Sequence, residues 1–136
     1  MKYRELHGYK YEALLDEVSM VKLSGVYDIE TDYIKLTKDG VLTAKKHYAW
    51  DGPSGPAIDT KNFMRSSLMH DALYQLMREE LLPRTERENC DKLMREICLS
   101  DGMSSFRAWY TYTFVRMFGE GGSMPSAKPL GKIVEI

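Results

Sequence analysis

Cysteine, long apolar runs and charge of one sign are all scarce in this chain. Only Cys90 and Cys98 occur in 136 residues, which excludes a disulfide-stapled secreted scaffold. On one helix the two would stand about 12 Å apart along the axis, too far to bridge. They read as reduced, buried thiols, and zinc would need further ligands close by. No apolar stretch approaches the roughly 18 residues of a bilayer crossing. The N-terminal MKYRELHGYK lacks the apolar segment of a signal peptide, so residence in the cytoplasm is expected. Lys and Arg number 19 against 20 Asp and Glu, a formal net charge of -1. That balance gives no general attraction to nucleic acid or to anionic membranes. Internal repeats and low-complexity segments are absent as well.

What is present suits one globular domain over residues 1–136, long enough to bury a core. The expected class is α+β, an N-terminal antiparallel β-meander or hairpin followed by three helices. Residues 1–50 are β-rich. The best signal is DYIKLTKDGVLTAKKHYAW, where Asp39-Gly40 separates two apolar runs and predicts a hairpin with strands near 32–37 and 41–48. Residues 51–60 form a Gly/Pro-rich loop, at whose end Thr60 suits a helix cap. Apolar residues at Phe63, Met64, Leu68, Leu73, Leu76 and Met77 then predict an amphipathic helix over 62–80, with Pro83 as its stop. A second helix is expected over 85–99, halted at Asp101-Gly102. A third, aromatic-rich helix ends at Gly119, a C-cap candidate. Its residues Phe106, Trp109, Tyr110, Tyr112, Phe114 and Phe118 read as core. The tail 120–136 is Gly/Pro/Ser-rich and is expected to lie extended.

The chemistry concentrates in YAWDGPSGPAIDTKNFMRSSLMHDALYQLMRE. His70 and Asp71 are neighbours, so on a helix they point about 100° apart and face two sides of one cleft. Tyr74 lies one turn beyond His70. If the first two helices pack antiparallel, Asp91 approaches His70, and an imidazole oriented by a carboxylate is a working general base. The bland reading of each residue stands beside this one. A His-Asp dipeptide is commonly a satisfied polar pair, Asp91 complements a helix dipole, and Tyr74 packs its ring. The loop, with Asp51 at its entrance and Asp59 at its exit, suits a hard cation through oxygen ligands, although the acidic spacing of an EF-hand is missing. Its alternative is a rigid β-to-α crossover.

From DYIKLTKDG through WDGPSGP and HDALY to CDKLMREICLSDGMSSFRAWYTYTFVRMFG, most of the chain resembles a family of small proteins of tailed phages and prophages. That resemblance implies an origin and no particular activity. HDALY is also similar to the His-Asp-x-x-Tyr signature on the catalytic helix of secreted phospholipase A2 enzymes, some of which carry an Asp-Gly-x-Ser loop ahead of it, as DGPS stands here. The resemblance implies an antiparallel helix pair with His70 as the base, Asp91 as its orienting carboxylate and Tyr74 supporting Asp91. It implies calcium on Asp71 with loop residues Asp51, Gly52 and Gly55. The chain departs from that family in having two cysteines and no export signal, with Met69 and Leu73 near the motif in place of cysteines.

Three functions follow as expectations. The first is a phage-encoded, metal-assisted His-Asp hydrolase acting on lipid or other small esters. The second is a non-catalytic virion component or host-interaction module, made in the host cytoplasm and binding a phage structural protein. In it His70, Asp71, Asp91 and Tyr74 persist as a buried polar scaffold. The third is a metal-dependent phosphohydrolase with His47, His70, Asp71 and Asp91 or Asp101 as ligands.

Overall fold

A computed structural model describes residues 1–6, 11–50 and 61–125. Its architecture is α+β, with antiparallel strands in two small sheets followed by three helices. The strands are β1 (Tyr3–Glu5), β2 (Tyr11–Ala13), β3 (Glu17–Met20), β4 (Ile29–Glu30), β5 (Ile34–Leu36), β6 (Val41–Ala44) and β7 (Ala49–Trp50). One sheet runs β1-β2-β7 and the other β3-β6-β5-β4. The meander is therefore the β4–β6 part, and β3 returns to close its free side.

The hairpin expected at Asp39-Gly40 is present between β5 and β6. Gly40 has φ +84, and a Cβ there would stand 2.5 Å from the Val21 carbonyl, so both backbone angle and space demand glycine. The strands are shorter than their apolar runs, because His47 adopts φ 75 and turns the chain before β7. Burial alternates along β5 and β6, placing Ile34, Leu36, Leu42 and Ala44 in the core.

The helices are α1 (Lys61–Arg78), α2 (Arg87–Ser100) and α3 (Ser105–Phe118). Twelve of the eighteen α1 residues are buried, so α1 is a central helix rather than one with a single buried face. Its sheet side joins the main core through Leu68, Leu73 and Leu76, while Phe63 joins Met94, Cys98, Met103 and Ala108 against the other helices. Both cysteines are free and buried, as expected.

The helices end close to the expected positions, two of them at the expected glycines. α1 stops before Pro83, at Glu80, whose φ of 61 lets Leu81 N–H donate to the Leu76 carbonyl and Glu80 N–H to that of Met77. This is a Schellman closure on a residue other than glycine. The stop at Asp101-Gly102 is the same closure with glycine in place, at φ +96, Met103 N–H donating to the Cys98 carbonyl. Gly119 does cap α3, but with φ -82. Its role is space, since a Cβ there would stand 2.6 Å from the Val115 carbonyl and 3.3 Å from the Tyr74 hydroxyl.

Two expectations are corrected. The α3 aromatics do not form core: Phe106, Trp109, Tyr110 and Phe118 are exposed, and Tyr112 and Phe114 are half-buried. α3 instead turns Ala108 and Thr111 inward, small residues that let it lie close on α2. The start of the tail is not extended either. Glu120–Ser123 forms a 3-10 turn, docked on α1 by the Arg78 guanidinium donating to the Gly122 carbonyl. Asp51, Gly52, Gly55, Asp59 and Thr60, and the tail from 126, lie outside the described residues.

Candidate functional site

The pairs across α1 and α2 run in opposite directions along the two helices. Arg65 donates to Asp101, Cys98 Sγ to Ser66, His70 to Asp91, and Arg87 to Tyr74. The helices are thus antiparallel, and that direction brings His70 to Asp91. Residues 70 and 74 stand one helical turn apart and face the same stretch of α2.

Asp91 is the hub and is fully buried. His70 Nε2 donates to Oδ1 at 2.7 Å, and the Tyr74 hydroxyl donates to the same oxygen at 2.6 Å. Arg116 Nη1, from α3, donates to Oδ2 at 2.8 Å. Arg87 stands one turn before Asp91 with its Nε 3.9 Å from Oδ2. Its Nε also donates to the Tyr74 hydroxyl at 2.9 Å, and its Nη2 to the carbonyls of Val115 and Arg116. The His70 and Tyr74 rings are 4.0 Å apart.

The electrostatics bear on Asp91 and Tyr74 in opposite directions. Burial opposes ionisation of Asp91, but hydrogen bonds from His70, Tyr74 and Arg116 together with the His70 charge outweigh it, and the carboxyl titrates below its usual range. Burial, then the Asp91 charge and hydrogen bond, push Tyr74 far above the usual phenol range, so it remains a donor. An ionised carboxylate can only accept. His70 then presents N–H from Nε2, and in the neutral form of the ring Nδ1 is the acceptor. Nδ1 has no hydrogen-bond partner among the described residues. Burial also raises the neighbouring Cys90 thiol well above its ordinary value, which keeps it protonated and inert.

The structure brings His70, Asp91 and Tyr74 together as expected. Asp71 is half-buried on α1, and the rest of its expected calcium set, Asp51, Gly52 and Gly55, lies outside the described residues. Among the described residues no three His, Cys, Asp or Glu side chains converge to hold a metal. The phosphohydrolase set is dispersed: His47 Nδ1 pairs with Glu12 at 2.6 Å, and Asp101 with Arg65 at 2.9 Å.

Arg87 and Arg116 were not anticipated. Arg87 had a signal, its position four residues before Asp91 on one helix. Arg116 had none, because only the packing of α3 brings it in. Both arginines line a cleft of about 350 Å³ with Arg84, Thr85, Glu88 and Glu120. His70 does not line that cleft, so it opens on the guanidinium side of Asp91.

No family model, curated protein or solved structure matches this chain. Among the described residues, no helix is long and apolar enough to cross a membrane.

Proposed function

We propose that this chain is a small phage-encoded hydrolase in which His70 activates water for attack on an ester, with lipid esters as the first substrate class. The observation that carries the reading is the 2.7 Å bond from His70 Nε2 to a buried, ionised Asp91. In a neutral ring that bond favours the tautomer whose Nδ1 lone pair can act as the base, which supports the reading. Water would give its proton to Nδ1 as its oxygen bonds to the ester carbonyl carbon. The tetrahedral adduct would then expel the alkoxide, which takes the proton back from His70, leaving an acid and an alcohol. Asp91 stabilises the imidazolium between the two transfers, and Tyr74 and Arg116 hold Asp91 in place. General base catalysis of this kind contributes about 10²–10⁴-fold.

Calcium on Asp71 and residues 51–55 belongs to the same proposal and is tested by a chelator. Activity lost with EDTA and restored by calcium supports it; activity indifferent to both removes calcium. His70→Ala should abolish fatty-acid release from phospholipid vesicles and hydrolysis of p-nitrophenyl esters while circular dichroism stays unchanged. Equal activity in wild type and variant removes His70 from any mechanism.

A second reading, a non-catalytic virion component or host-interaction module, is favoured by one observation. His70 is only 9% exposed, and Asp91 ties α1, α2 and α3 together. Buried polar networks of this kind specify packing without chemistry. It predicts that His70→Ala lowers stability in a protein that hydrolyses neither substrate.

A further inference from the structure

We propose that the outer face of α3 is a homodimer interface, occupied by the same face of a second copy. Phe106, Trp109, Tyr110, Met117 and Phe118 are each between 45% and 75% exposed. Around a helix with 100° per residue, Phe106, Trp109, Tyr110 and Met117 fall on one side, opposite the inward Ala108 and Thr111. Scattered apolar residues on a surface need no explanation, but a contiguous stripe marks an interaction site. Aromatics, methionine and arginine are also the residues enriched at protein interfaces.

The amount of surface suits a modest dimer. At these exposures, and with roughly 150–250 Å² per fully buried aromatic, the stripe offers on the order of 500 Å² per copy. A pair then reaches about 1,000 Å², the lower bound for a specific complex. The chain as a whole has a formal net charge of -1 and so no overall attraction to an anionic bilayer.

The charges on α3 itself are Arg107 and Arg116, with no acid. In an antiparallel pair centred near Tyr112, the two Arg116 side chains stand about 12 Å apart along the axis and the two Arg107 about 15 Å. Both separations exceed a screening length of about 10 Å at 0.1 M salt. Arg116 is moreover paired within its own copy, its Nη1 donating to Asp91 Oδ2 at 2.8 Å. The inference is independent of whether His70 is catalytic.

Sedimentation velocity across the micromolar range tests it. Wild type should pass from monomer to dimer, and Trp109 emission should shift to the blue with concentration, since the other tryptophan, Trp50, is buried. Phe106→Glu and Met117→Glu change exposed side chains and should keep the wild-type circular dichroism while weakening association by about tenfold or more. A wild type monomeric at every concentration overturns the proposal, including a monomer that binds vesicles of anionic phospholipid. Folded variants that dimerise as wild type does overturn the placement on α3.

Discussion

Two buried carboxylates stand five residues apart at the start of α2, and their surroundings differ in kind. Glu86 accepts from the backbone N–H groups of Ser24 and Gly25, the Ser24 hydroxyl and the Asn89 amide. Asp91 accepts from an imidazole, a phenol and a guanidinium. Both are fully buried and both titrate below the ordinary carboxylate range. The donors of Glu86 hold no proton that can move near neutral pH, so it is a fastener between the β-rich half and the helices. Those of Asp91 include a ring that can exchange a proton with a substrate. Burial and a shifted pKa are therefore shared by staple and candidate site, and the identity of the donors separates them.

The sharpest way to break the comparison is to neutralise each carboxylate. Asp91→Asn leaves the Arg116 guanidinium facing an amide and should cost about 3–5 kcal/mol in urea unfolding, as breaking a buried charged pair does. It should also change the His70 tautomer in nitrogen-15 spectra, because an amide can donate to Nε2 where the carboxylate accepted. Glu86→Gln should cost less, on the order of 2–3 kcal/mol, and leave the His70 spectrum unchanged. An altered His70 tautomer in Glu86→Gln would erase the distinction between the two sites.

The effect of acid follows from the same shift. Burial raises the Glu86 pKa, but its hydrogen bonds outweigh that and bring it from the ordinary 4.5 to about 2. A depressed folded-state pKa stabilises above the unfolded value and is lost as pH falls through the folded one. The advantage of wild type over Glu86→Gln should thus be full above about pH 5 and mostly gone by about pH 2. A gap that stays constant over that range would mean that the Glu86 charge contributes nothing to stability.

The smallest effect tests a backbone position outside both networks. Glu80→Gly removes a side chain from φ 61 and should stabilise by about 0.5–1 kcal/mol, the left-handed penalty less the added entropy of the unfolded glycine. A destabilised variant would mean that the Glu80 side chain makes a contact worth more than that strain.

Much of the site was legible in the sequence. Residues 70 and 74 share a helix face by spacing alone, and the antiparallel pairing on which the approach of Asp91 depended is the one observed. The α1 end was placed to within two residues, but its closure was credited to Pro83, whereas Glu80 makes it at a backbone angle no residue type announces. The α3 aromatics were misread because their side chains are apolar nearly all round the helix. Composition then says nothing about which face goes inward, and close packing of α2 and α3 selected the small residues.

The sequence by itself determined the α+β order, the Gly40 turn, the reduced cysteines and the His70–Tyr74 face, because each depends on local sterics or on a repeat along the chain. Only the tertiary structure decided that Arg116 completes Asp91, that Glu86 is a staple and that α3 turns its aromatics outward. Each of those joins residues at least 25 apart or chooses between faces of one helix, and long-range packing makes that choice.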